Sequence, residues 1–371
     1  MNALSQENVW IEPSSNMGDL EPYGADVAPR QTQKTDAQFF TSTDDLLLES
    51  GQKLQGFQLA YHTFGTLAAD GQNVVWVFHA LTGNSDVLDW WPGLMGPNKF
   101  LDTNTQFIVC ANVLGSPYGS TSPLSKNPGN DKNYYQDFPK LTPRDVCQAF
   151  DKLRVHLGLN NIALCVGPSL GGQLATEWAV HLGDKLKNLV LIATNAVQSP
   201  WGVAFNEAQR MAITADKSWR KRRPDAGLFG MKAARAMAML SYRHYQTYAL
   251  TQAPDDNAAS TAVPKAASYQ QYQGEKLVQR FNAFSYWVLS HMMDAHDVGR
   301  GRGGVVEALG QISARTLVVG IESDVLFPPM EQKFLAQHIP SATYAELKSQ
   351  HGHDGFLVDE PALLEILEAW G

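Results

Sequence analysis

Two hydrophobic patterns alternate along the chain. The first is a short, continuous run of apolar β-formers, as in Val74-Val75-Trp76-Val77-Phe78, with Gly71 behind it and His79-Ala80-Leu81-Thr82-Gly83 ahead. A strand covered on both faces reads this way, because neither face offers a place for a polar side chain. The same signature recurs at 107–111, 162–166, 189–192 and 316–320. A further stretch, 54–64, alternates only partly and predicts an antiparallel strand near a sheet edge. The second pattern is helical. Thr142-Pro143-Arg144-Asp145 supplies an N-cap hydroxyl, a proline at the first helical position and an acid three residues on, which predicts a helix over 145–157. Another helix is expected to open at Ser169, with Leu170, Leu174 and Trp178 on one face, and a third to span 361–370.

Strands alternating with helices specify a doubly wound α/β sheet, in which ligands sit at the carboxyl ends of the strands. The alternation stops at 197. From there to about 309 no strand pattern appears, and helix formers dominate 205–215, 231–248 and 275–293. Four segments follow: a poorly ordered arm over 1–36, a first core part over 37–196, a helical insertion over 197–309 suited to a lid, and a second core part over 310–371. Within the insertion, 251–267 is rich in Ala, Asp, Thr and Pro and reads as a mobile surface loop.

Composition narrows the class. Of 371 residues, 44% are hydrophobic and 18% charged, and no apolar run approaches a membrane span. The net charge of -8 opposes nucleic-acid binding, which needs concentrated Lys and Arg. Cys110, Cys147 and Cys165 are an odd number in apolar surroundings, so they read as reduced core thiols, and none has metal-ligand spacing. A polar start without a basic and apolar leader predicts cytoplasmic residence.

Candidate chemistry centres on Gly167-Pro168-Ser169-Leu170-Gly171, a G-x-S-x-G between a predicted strand and a predicted helix. Such a turn presents a serine at a strained tip and needs small neighbours, which Gly167, Gly171 and Gly172 supply. A serine hydroxyl becomes a nucleophile when a histidine takes its proton, and that histidine needs a carboxylate to fix its tautomer. In this architecture the acid and then the histidine follow the serine in the chain. Asp324 or Glu322, just after the strand at 316–320, can supply the acid, and His353 or His351 the base. Leu170 and either Ala80 or Leu81 are placed to donate backbone N–H groups to a developing oxyanion. His79, which ends a strand ahead of the serine, reads as structural.

These blocks, with Trp90-Trp91, Gly96-Pro97, Asn112-Val113-Leu114-Gly115, Tyr118-Gly119-Ser120-Thr121, Ser323-Asp324, Leu326-Phe327-Pro328 and 352–357, resemble the homoserine O-acetyltransferases of the α/β-hydrolase fold. The resemblance implies Ser169, Asp324 and His353 as the triad and Leu81 and Leu170 as oxyanion donors. It implies Arg235 for a substrate carboxylate, Asp354 for the ammonium and Tyr242 for a further hydrogen bond. It also implies acetyl-CoA as co-substrate, L-homoserine as acceptor in methionine biosynthesis, no bound cofactor or metal, and a homodimer formed through the lid. L-serine, succinyl-CoA or plain ester hydrolysis are the neighbouring chemistries, and a catalytically silent scaffold is the reading from another class. The elbow departs from the family's usual Gly-Gly-Ser-Met-Gly-Gly at Pro168 and Leu170. Leucine keeps its N–H, whereas Pro168 removes one and fixes φ beside the serine.

Overall fold

A computed structural model describes residues 36–253 and 263–371. Apart from Asp36, the arm expected over 1–36 lies outside the described residues.

Eight strands form the main sheet: β1 (Gln38–Ser42), β2 (Phe57–Phe64), β3 (Val74–Val77), β4 (Phe107–Ala111), β5 (Ile162–Pro168), β6 (Leu186–Ile192), β7 (Arg315–Ile321) and β8 (Ala342–Leu347). Their spatial order is β1-β2-β4-β3-β5-β6-β7-β8. The pairs from β4 through β8 are parallel, while β2 joins β4, and β1 joins β2, antiparallel. All four residues of β3 are buried, as its unbroken apolar run requires. The two-residue period divides its side chains between the faces. Val74 and Trp76 enter one core cluster, where Trp76 meets Trp178 and Phe150. Val75 and Val77 enter the other, with Trp91, Leu363 and Leu367.

The helices on these faces are α1 (Pro143–His156), α2 (Leu170–Leu182), α8 (Pro329–His338) and α9 (Glu360–Trp370). At the start of α1 the predicted capping box is present: the Thr142 hydroxyl accepts from the Asp145 N–H, and Asp145 accepts from the Thr142 N–H at 2.9 Å. After β6 the described residues run through α3 (Pro200–Ala215), α4 (Leu228–Tyr242), α5 (Tyr245–Thr251), α6 (Lys265–Val278) and α7 (Ala283–Asp294), and then a single helical turn, Val305–Leu309, before β7. An antiparallel bridge, Val197↔Asp297, closes the base of this run, flanked by Gln198 N–H donating to His296 and Val298 N–H donating to Ala196.

Several boundaries differ from the sequence reading. The stretch 231–248 is two helices, because Arg243 is extended (φ -114, ψ 154). The stretch 275–293 is likewise two, with the chain turning at 279–282 and Asn282 capping α7. The loop expected over 251–267 is shorter: Thr251 ends α5 and Lys265 opens α6, while 254–262 lie outside the described residues. β1 and β8 were not foreseen. Both are sheet-edge strands that keep exposed or half-buried positions, so neither carries an apolar run.

Candidate active site

β5 delivers Ser169 at its carboxyl end, at the point where successive strands are laid down in opposite directions from the β3–β5 pair. Ser169 takes φ 56, ψ -124, a conformation side-chain-bearing residues seldom adopt. Hydrogen bonds hold it there: its N–H donates to Ile192 at 2.9 Å, and its carbonyl accepts from the Thr194 hydroxyl at 2.9 Å. The glycines allow strand and helix to close on each other. A Cβ on Gly167 would stand 2.2 Å from the Gly171 carbonyl oxygen, and one on Gly171 2.3 Å from that of Phe78.

Pro168 fits this turn for a specific reason. The β3–β5 ladder ends at Val77↔Val166, where the Phe78 N–H donates to Val166. Pro168 stands just past that end, where the ladder gives way to the elbow, and the next amide, that of Ser169, still pairs with β6.

His353 comes from the short turn Gly352–Asp354 after β8, and Asp324 from the loop after β7. His353 Nε2 lies 2.9 Å from Ser169 Oγ, and its Nδ1 lies 2.6 Å from Asp324 Oδ2. A carboxylate only accepts, so Nδ1 carries the proton and Nε2 accepts from the serine hydroxyl. The other Asp324 oxygen takes the N–H groups of Leu326 and Phe327 at 2.8 and 2.9 Å, which fixes the carboxylate plane. Phe327 stacks on the imidazole and Phe356 meets it edge-on. Burial disfavours a charged imidazole, but the Asp324 charge and hydrogen bond, with Asp354 behind them, outweigh it and raise the His353 pKa. The two rivals point elsewhere. Glu322 lies at the surface near Lys348, and His351 faces Asp359.

The loop after β3 runs against the start of α2, since a Cβ on Gly171 would also come within 3.1 Å of the His79 carbonyl oxygen. His79 is fully buried and fixes the conformation of this loop. Its Nε2 accepts from the Val113 N–H, so Nδ1 bears the hydrogen and donates to Ala80 O at 2.8 Å. The Gly83 N–H donates to the same oxygen. Because a peptide unit is planar and trans, holding the Ala80 carbonyl also sets the direction of the Leu81 N–H. Burial pushes the His79 pKa down to about 4, which keeps the ring neutral in this role.

Helices between β6 and β7 complete the surroundings. The Tyr242 ring of α4 lies 5.7 Å from that of His353, and the Arg235 guanidinium lies 5.2 Å from the Tyr242 ring. Asp354, adjacent to His353, is buried and pairs with Arg243 Nε at 3.3 Å. The sequence reading missed Arg243. Its one available signal was its position next to Tyr242, at a point where a continuous helix was expected. By contrast, Arg300 and Arg302 are engaged by carboxylates, Arg300 with Glu49 and Arg302 with the buried Glu177.

A family model for the alpha/beta hydrolase fold matches residues 73–360. The homoserine O-acetyltransferase of Cyclobacterium marinum is 49% identical over 343 residues, covering 92% of this chain and 97% of that protein. Among solved structures, homoserine O-acetyltransferase from Bacillus anthracis superposes with a TM-score of 0.83 at 24% identity, covering 90% of this chain and 97% of that one. Esterase E22 does so at 0.82 and 20% identity, covering 90% and 99%. Transferases and esterases thus share the fold, while the strong sequence similarity is to transferases. The chain belongs to the homoserine O-acetyltransferases, within the alpha/beta hydrolase fold family.

Proposed function

We propose that the protein moves the acetyl group of acetyl-CoA to the hydroxyl of L-homoserine, a step of methionine biosynthesis, through an acyl-Ser169 intermediate. The observation that carries this reading is the buried row Ser169–His353–Asp324 in a chain 49% identical to a homoserine O-acetyltransferase.

Ser169 Oγ attacks the thioester carbonyl as His353 Nε2 takes its proton, and the N–H groups of Leu81 and Leu170 receive the oxyanion. Collapse expels the CoA thiolate, which leaves with the proton from His353. The homoserine hydroxyl then gives its proton to His353 and attacks the acyl-enzyme. The second collapse returns the proton to Ser169 and releases O-acetyl-L-homoserine. Arg235 holds the homoserine carboxylate and Asp354 its ammonium, with Tyr242 beside them. Arg243 fixes the Asp354 carboxylate. The helices between β6 and β7 act as a lid that keeps water from the acyl-enzyme, the requirement that separates a transferase from an esterase.

The reading includes a homodimer formed through the lid and a cytoplasmic site of action, where CoA thioesters are available. Support for the dimer comes from α4. Phe229, Met237 and Leu240 lie on one exposed stripe, opposite the inward-facing Arg235 and Tyr242, and Met211 of α3 is also exposed. A monomeric mass in solution would remove that part.

Mass spectrometry of the intact protein tests the chemistry. Acetyl-CoA alone is expected to add one acetyl group at Ser169, L-homoserine to discharge it rapidly, and Ser169→Ala to stay unlabelled. Discharge by L-serine or water as fast as by homoserine, or faster loading from succinyl-CoA, would overturn the assignment of acceptor or donor.

A further inference from the structure

The middle of the oxyanion loop is tied to the helical insertion by one side chain. Arg280 lies in the turn between α6 and α7, and its Nη1 donates to the Thr82 carbonyl at 2.6 Å and to the Tyr118 hydroxyl. Nη2 reaches the Thr82 hydroxyl at 3.4 Å. The Thr82 carbonyl shares its planar peptide unit with the Gly83 N–H, which donates to the Ala80 carbonyl, so the clamp reaches the Leu81 N–H through that bond. The other anchors lie outside the helical insertion: His79 and, within the loop, the Gly83 N–H hold the Ala80 carbonyl, and Asn112 accepts from the Ser85 N–H while donating to the Ser85 hydroxyl and the Tyr118 carbonyl. Phe281, the next residue in the turn, packs edge-on against Tyr118 at 5.8 Å. The turn exists because the helix breaks after Val278 and restarts at the Asn282 cap.

We infer that Arg280 is a positioning residue for the oxyanion hole: by clamping Thr82 and Tyr118 it makes the direction of the Leu81 N–H depend on docking of the insertion. The inference rests on the proposed function, in which Leu81 is a donor. A guanidinium suits the role, because its fixed fork reaches a carbonyl and two hydroxyl groups at once. The side chain does not touch the reacting atoms. Its loss therefore slows acylation without weakening homoserine binding.

Arg280→Ala, Arg280→Lys and Tyr118→Phe, each in the full chain, test this. Acylation is followed as the pre-steady-state burst of CoA from acetyl-CoA, and KM for homoserine is measured separately. Arg280→Ala is expected to slow acylation by about 10- to 100-fold, short of the loss from deleting a donor outright. The KM for homoserine should change less than about threefold, since uniform substrate binding is untouched. Arg280→Lys and Tyr118→Phe should fall between wild type and Arg280→Ala, and millimolar guanidinium should partly restore the alanine variant, whose site is exposed. Wild-type acylation in Arg280→Ala would overturn the inference, as would a raised KM with an unchanged burst, or equal loss in Arg280→Lys and Arg280→Ala without guanidinium rescue. Absence of any acetyl-Ser169 in the wild type would instead overturn the proposed function, so the two failures are distinguishable.

Discussion

Replacing Asp324 by Asn probes the site with almost no change in shape. The side-chain oxygen that accepts from Leu326 and Phe327 is retained, so the loop after β7 keeps its form. What changes is the atom facing His353 Nδ1 at 2.6 Å, which turns from a pure acceptor into an NH2 donor. The imidazole must then accept at Nδ1 and carry its hydrogen on Nε2. Nε2 lies 2.9 Å from Ser169 Oγ, and in that tautomer it donates to the serine instead of taking its proton. Both partners are buried, so no competing hydrogen bond to solvent offsets that preference. Such a tautomer switch costs about four orders of magnitude in other serine triads, or about 5 kcal/mol of transition-state stabilisation. The assay is the burst of CoA release from acetyl-CoA, with thermal melting as a control on folding. A loss under about tenfold in a folded Asp324→Asn protein would refute the tautomer argument.

The remaining predictions concern pH, packing and binding. With His353 as the proposed base and its pKa raised above the ordinary 6.5, kcat/KM should fall on the acid side through a pKa above that value. The same shift means that protonated His353 adds stability fully below about pH 6.5 and loses it as pH rises through the folded pKa. The unfolding free-energy gap between wild type and Asp324→Asn should therefore narrow over that window. Gly171→Ala puts a methyl 2.3 Å from the Phe78 carbonyl oxygen, so it should cost about 2–4 kcal/mol in denaturant titration and lower activity with it. Pro168→Gly restores flexibility to the unfolded chain beside the elbow. It should destabilise by about 0.4–1 kcal/mol, with the acylation rate within a few-fold of wild type. Arg235→Ala should raise KM for homoserine by about 10- to 100-fold, the worth of a charge-assisted pair, while acylation by acetyl-CoA alone is spared.

What the sequence could show was what local pattern dictates. Val74 to Phe78 must be a strand covered on both sides, and the Thr142 capping box starts a helix wherever it occurs. The elbow was legible because Gly167, Gly171 and Ser169 each answer a backbone demand. Choosing His353 over His351 was not a matter of pattern, since both lie in one glycine-rich turn and only the chain's path after β8 decides which ring faces Ser169. β8 itself was invisible because its half-exposed residues, Ala342 to Glu346, carry no apolar run. The two long helices read from composition each break once, at Arg243 and at 279–282. Propensity favours continuation in both places. Tertiary contacts prevail there: the Gly352 backbone packs close to Tyr242 and Arg243, and Arg280 reaches back to the loop after β3. Local rules fail where the chain serves the site.

The bridge between Val197 and Asp297 has a mechanical corollary. The chain leaves the sheet after β6 and returns toward β7 past one paired doorway, so α3 to α7 all lie on the stretch between its two posts. The turns at the carboxyl ends of the strands carry Ser169, Asp324 and His353, while the stretch beyond the doorway carries Arg235, Tyr242 and Arg280. A disturbance of that doorway would therefore reach Arg235, Tyr242 and Arg280 while the sheet still holds the row Ser169–His353–Asp324.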